Sequence, residues 1–224
     1  MTEYLSKDLK KNVDNFKEIF KDCGDISFRF IEIGKDDKVE ACFIFSDGLI
    51  NKALLSEYGI QLLLTSNENE DFCLKKVKKD LLDLLAKEAI AIPEVDEENK
   101  IDKIVNAILS GETILLVDKV DKALALSTRG WPTRGVGEPE TETVVRGPRD
   151  GFSETLKINT TLVRRRIKDP KLKIKNLEIG RRSKTDVAVL YIEDIVNNEL
   201  LEEVHKRLDN IDIDAILDSA ILEH

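Results

Sequence analysis

The chain has 224 residues, 35% of them charged and 5% aromatic, with a net charge of −9 and a pI near 5.0. That length accommodates one large domain or two small ones and buries a real hydrophobic core. The charge balance argues against nucleic acid as a partner, and no stretch approaches the roughly 18 consecutive apolar residues of a membrane helix.

Leu5, Leu9, Val13, Phe16, Ile19 and Phe20 recur at helical spacing, which predicts an amphipathic helix over Leu5 to Phe20, with Gly24 as its stop. Two β-rich runs follow, Ile26 to Ile33 and Val39 to Phe45, joined by a turn at Gly34 to Lys38. Asp47 then reads as the cap of a short helix from Gly48 to Tyr58. A short apolar run at Ile60 to Leu64 and a helix at Phe72 to Ala89 come next. Pro93 and the acidic run Glu94 to Glu98 read as a linker between subdomains. Beyond it lie a helix at Ile101 to Leu109 stopped by Gly111 and a hairpin of Thr113 to Val117 with Ala123 to Leu126. A helix from Ser153 or Glu154 to Ile167, strands at Leu172 to Ile179 and Val187 to Ile192, a helix at Asn197 to Leu208 and a turn after Asp214 complete the order.

The fold class this order predicts is α/β (α+β): two small α/β subdomains, 1–95 and 96–224, with mixed sheets and flanking helices. FRFIEIGKDDKVEACFIFSDGLINKALLSE also aligns with IKNLEIGRRSKTDVAVLYIEDIVNNELLEE, which suggests a duplicated helix-strand-strand-helix unit. The offset is 146 before the hairpin turn and 147 by Asp47 and Asp194, so one inserted residue is expected in the second hairpin loop.

Arginine is concentrated between Arg129 and Arg182, where nine of the eleven in the chain lie. A planar guanidinium suits bidentate pairing with carboxylates or phosphates, whereas lysine is a mobile point charge. Residues 129–184 carry a local balance of +8, while 185–224 carry −9, so charge pairing is expected within the chain or between copies of it. The loop 129–152 has the signs of an interaction surface, with Arg129, Trp131, Arg134, Arg146, Arg149, Asp150 and Phe152, and with Glu138 and Glu142 as partners for the arginines. Arg164, Arg165 and Arg166 end the following helix. Three consecutive side chains point in different directions, so the helix dipole accounts for one or two and a partner surface is expected for another. The competing reading is a long connection pinned by Arg–carboxylate pairs.

Chemistry finds little support. There is no GxxxxGK[ST] and no GxGxxG, Pro148 removes an amide from the Gly-rich loop, and the serines lack a histidine base. Cys23, Cys42 and Cys73 are odd in number and widely spaced, there is no CxxC, and His205 and His224 are the only histidines. The reading is therefore a reduced, non-enzymatic protein with no cofactor and no metal. Leu222 to His224 read either as natural sequence or as the start of a tag scar and carry no functional argument.

The stretch VRGPRDGFSETLKINTTLVRRRI, with EPETE ahead of it, resembles the signature of the GerA family of spore germination proteins. The likeness rests on Glu138, Pro139, Glu142, Arg146 to Arg149, Gly151, Phe152, Glu154, Asn159 and Arg164 to Ile167, and it continues weakly to the end. It implies the A subunit of a nutrient germinant receptor, whose soluble N-terminal region precedes several membrane helices. The chain is then expected to continue past residue 224. Also implied are a place in the spore inner membrane with this domain on the cytosolic side, and assembly with further A subunits and with B and C subunits into a nutrient-gated ion channel. The isolated piece is expected to be monomeric. Two alternatives stay open: a module sensing a small germinant between the subdomains, and the paralogous subunit associated with dipicolinate release.

Overall fold

The computed structural model describes residues 3–33, 38–60, 92, 94–131, 151–216 and 220–223. Helix α1, Leu9–Ile19, starts where the Asp8 carboxylate accepts from the Lys11 amide at 3.0 Å, and it buries Leu9, Val13 and Phe16. It ends one turn before Gly24. The left-handed residue is Asp22, at φ 57°, a residue type that tolerates that region.

Strands β1 (Ile26–Ile33) and β2 (Val39–Ser46) form an antiparallel hairpin in continuous register from Ile26↔Ser46 to Ile33↔Val39. The short helix α2, Lys52–Leu54, is capped by Asn51, whose side chain accepts from the Ala53 and Leu54 amides, and it runs on as one π-helical turn over Leu55–Ile60. Asp47, expected as that cap, instead pairs with lysines on two elements. The helix expected at Phe72 to Ala89 and the run Ile60 to Leu64 lie, apart from the Ile60 backbone, outside the described residues, as does Cys73.

The acidic run expected as a linker is strand β3, Val95–Glu98. Helix α3 (Ile101–Leu109) and the hairpin of β4 (Thr113–Val117) and β5 (Ala123–Leu126) follow as predicted. These strands join the first hairpin in one five-stranded sheet of order β1-β2-β4-β5-β3. The division expected at residue 95 is therefore corrected, because strands from both sides of that position share one hydrogen-bonded sheet. Acidic residues suit β3 because it is an edge strand, where charge opposes pairing with other chains. β4 and β5 are apolar without alternation and buried at every residue, since both sheet faces are covered. Phe16, Ile44, Ile104, Ile108 and Leu116 pack under α1 and α3 on one face, and Phe43, Phe45, Leu115 and Leu124 pack on the other with Ile50, Leu55 and Ile92.

After residue 150 the chain builds a second unit from helix α4 (Leu156–Arg166), the hairpin β6 (Leu172–Ile179) and β7 (Thr185–Ile192), helix α5 (Asn198–Asp209) and a terminal turn α6 (Ala220–Glu223). Among the described residues every strand pairing in both sheets is antiparallel, where mixed sheets were expected.

The two units repeat one another in detail. β6–β7 has the register of β1–β2 shifted by 146 positions, from Leu172↔Ile192 to Ile179↔Thr185. The connections, 34–38 and 180–184, are equal in length, so the inserted residue expected in the second hairpin loop is not there. The same shift carries Asn51 onto Asn197, which caps α5 by accepting from the Glu199 and Leu200 amides. Helices α1 and α4 are 147 apart, so the one-residue difference falls between that helix and the first strand. Ahead of α1, Asn12 accepts from the Ser6 amide at 2.9 Å and donates to the Ser6 carbonyl at 2.7 Å. Ahead of α4, Asn159 does the same with Ser153, at 2.7 Å each. Matching capping loops, registers and caps identify a structural duplication.

Candidate functional site: the joint built on α4

The two units meet where the chain leaves α1. Cys23 bridges Ile174 in parallel, the Gly24 amide donates to the Ile174 carbonyl at 2.8 Å, and the Ile174 amide donates to the Asp22 carbonyl at 3.0 Å. A Cβ on Gly24 would lie 2.7 Å from that carbonyl oxygen, so the contact needs a residue without a side chain.

Arg164 closes the joint from α4. Its guanidinium donates from Nε to Asp25 Oδ2 at 2.7 Å and from Nη2 to Asp25 Oδ1 at 3.0 Å. It also donates to the carbonyls of Asp169 and Leu172, each at 2.8 Å. Arg164 is 1% exposed and its Asp25 partner 9%, so the pair is largely removed from solvent and is satisfied inside the chain. A buried pair of this kind specifies one geometry rather than adding much net stability, because desolvation offsets the attraction. Arg164, grouped with Arg165 and Arg166 as an expected interaction residue, is instead turned inward and pins the second unit to the first. Beside it, burial pushes the Cys23 thiol above its ordinary range despite the nearby Arg164 and Lys173 charges.

A second tie runs along α4. Lys157 reaches Asp47 at 2.7 Å, and Lys52 reaches the other Asp47 oxygen at 2.6 Å. Burial pushes the Asp47 carboxyl up, but the hydrogen bonds from Lys157 and Lys52 outweigh it and hold the group below the usual carboxylate range. Gly48, at φ +125°, lies against Thr161 so closely that a Cβ would come within 2.3 Å of Oγ1. Asp25, Asp47, Lys157, Asn176 and Asp186 line a cavity of about 240 Å³ in this seam.

The start of the Arg-rich loop is fixed to the same place. Arg129 bridges Ile50 in antiparallel fashion and pairs with Glu112, and the Gly130 amide donates to the Leu49 carbonyl at 3.0 Å. Trp131 then lies under Arg165, whose guanidinium carbon is 4.5 Å from the ring centroid. Of the remaining candidates, Phe152 is 75% exposed and Arg166 closes the last turn of α4. Arg134, Glu138, Glu142, Arg146, Arg149 and Asp150 lie outside the described residues. Part of the acidic tail is paired within the chain: Arg181 forks onto Asp212 at 2.6 and 2.5 Å, and the Arg181 and Arg182 amides donate to the Ile213 and Asp214 carbonyls.

Asp25, Asp47, Gly48, Lys157 and Thr161 complete the joint and are not among the interaction residues expected from the sequence, where Asp47 reads only as a helix cap. An acid one residue ahead of a strand carries no signal of a partner 139 positions away. A weak one was present in Asp47-Gly48, where a short acid precedes the residue type that tolerates positive φ.

Among the described residues no helix is long and apolar enough to cross a membrane. A family profile described as Bacillus/Clostridium GerA spore germination protein matches residues 14–224. The chain is 32% identical to spore germination protein KA of Bacillus subtilis over 98% of its length and 39% of that protein. With stage V sporulation protein AF of the same organism it is 35% identical over 77% of its length and 34% of that protein. It thus spans about two-fifths or less of these relatives. The crystal structure of the N-terminal domain of the A subunit of the Bacillus megaterium spore germinant receptor GerK3 superposes with a TM-score of 0.76 at 29% identity, over 98% of this chain and 78% of that one. With its duplicated two-sheet architecture and a match running from α1 to the last residue, the chain belongs to the GerA family of spore germination proteins.

Proposed function

We propose that this chain is the N-terminal domain of a germinant receptor A subunit, on the cytosolic side of the spore inner membrane. In this reading it contributes no catalysis; it assembles with further A subunits and with B and C subunits and couples nutrient sensing to ion release. The likeness to the GerK3 A-subunit domain supports the assignment. The observation that carries the mechanism is α4, a single helix holding both units through Arg164–Asp25 and Lys157–Asp47 while its last turn grips Trp131 at the mouth of the Arg-rich loop. A force on that loop therefore reaches the joint through one rigid element.

Because Arg129, Arg164, Arg165, Arg181 and Arg182 have partners within the chain, contacts between subunits fall to residues 132–150, with Arg134, Arg146 and Arg149, and to exposed Phe152. The test is Arg146→Ala with Arg149→Ala in the full-length protein in spores, reading nutrient-triggered cation release beside the amount of protein in the membrane. Normal protein with lost release is the expected result. Lost protein would make these arginines structural pins and overturn the coupling role.

The seam cavity favours a second reading, a sensor for a small polar solute. At about 240 Å³ it is below the usual size of drug-like pockets, and its mixed charges suit an amino acid. A titration with amino acids and nucleosides that raises the melting temperature with ligand concentration would support it. No shift with any of them removes it.

A further inference from the structure

The second unit repeats the first, but among the described residues nothing completes it as the first is completed. In the first, the free edge of β2 is taken by β4, with Ala41↔Val117 and Ile44↔Ile114 at the ends of the ladder, and β5 and β3 extend the sheet from there. The equivalent positions 146 later are Val187 to Leu190 on β7, which among the described residues pairs with β6 alone. Burial follows the pairing. Ala41, Cys42, Phe43 and Ile44 are each 0% exposed, whereas Val187 to Leu190 are all only half-buried.

The difference extends into the following helix. Leu49 is 1% exposed, held beneath Gly111 and Gly130, and its counterpart Ile195 is 77% exposed. Leu55 is 2% exposed and its counterpart Leu201 half-buried; Leu200 is 61% exposed, and α5 has no buried residue at all. Among the described residues the second unit thus keeps the apolar residues of a covered surface without the cover. A lone two-stranded sheet is marginal in water, and a third strand is the usual remedy.

In the first unit the cover is Val95–Leu126, later in the same chain. The same shift puts its counterpart beyond residue 224. The relatives are long enough to carry one: this chain spans 39% of protein KA, and a fifth of the solved GerK3 domain lies outside the match. We infer that the β7 edge, with Ile195 and Leu200, is the docking surface for a following stretch of the same polypeptide, which enters antiparallel to Val187–Leu190. A covalently linked segment is favoured over a second copy, because loop closure grows only slowly with length whereas association of two chains costs much more freedom.

The test is hydrogen exchange read on peptides covering Thr185–Ile192 and Ile195–Leu200, in this 224-residue chain and in the full-length protein purified without other subunits. Amides of 187–190 that face the edge are expected to exchange at least about a hundredfold more slowly in the full-length protein, with the β1–β2 peptides unchanged. Equal exchange in both overturns the inference. Slow exchange in the 224-residue chain, together with a dimer in sedimentation, also overturns it by making a second copy the occupant. Ile195→Lys provides an independent reading: the 224-residue chain keeps its melting temperature, whereas the full-length protein loses the protection. Retained protection in that variant counts against Ile195 as part of the surface.

Discussion

Replacing Asp25 with alanine leaves the Arg164 guanidinium 1% exposed with two of its four hydrogen bonds gone, those to Oδ1 and Oδ2, while the donations to Asp169 and Leu172 remain. The carboxylate is the only charged partner that the guanidinium has among these contacts. Removing one partner of a buried ion pair costs about 3–5 kcal/mol, chiefly as the penalty of the charge left behind. In a domain of this size each kcal/mol shifts the melting temperature by about 2–4 °C, so a drop of about 10 °C is expected by circular dichroism. Asp25→Leu combined with Arg164→Met removes both charges, and most of that loss should be recovered, to within about 1–2 kcal/mol of the parent. A double-mutant cycle in which the two single effects simply add, or an Asp25→Ala shift within about 2 °C, would refute the account of a coupled, desolvated pair.

Further outcomes follow from the joint and from the core of the first sheet. Gly48→Ala should destabilise by about 1–3 kcal/mol through its φ of +125° and the contact with Thr161, and Thr161→Ala should relieve only the contact; an unchanged denaturation midpoint would remove both causes. Trp131 is the sole tryptophan, so Arg165→Ala should shift its emission at a cost of about 0.5–2 kcal/mol, and an unaltered spectrum would mean that the stacking is not populated in solution. Asp47 has its carboxyl held low in the folded state, so its contribution is fully present above the ordinary carboxylate pKa. That contribution fades as pH falls through the lowered folded-state value, and acid stability should improve less steeply with pH in Asp47→Asn than in the parent. Burial pushes the Cys42 thiol up to about 12, so labelling at pH 8 should wait for unfolding, and rapid modification of the folded protein would contradict its complete burial.

Periodicity made most of this fold legible before any coordinates. The α3 and β4–β5 elements fall at the predicted residues, because local hydrophobic patterns report directly on which face of an element is buried. The repeat is legible too, although matching Asp47 with Asp194 puts it one residue out of the register that carries Asn51 onto Asn197. The arginines between 129 and 182 were visible as a group, and the family signature among them pointed to spore germination. The roles of single residues were not legible. Whether Arg164 meets a neighbour or its own chain depends on Asp25, 139 positions away, and a sequence carries no sign of that distance being closed. The acidic run Glu94 to Glu98 looked like a linker because edge strands and loops share a composition, and only the pairing of β3 with β5 separates the two. Local residues determined the helices, hairpins and caps of both units. The tertiary structure alone decided how the units join and which apolar surfaces are covered, because burial is set by what packs above a residue and not by the residue itself.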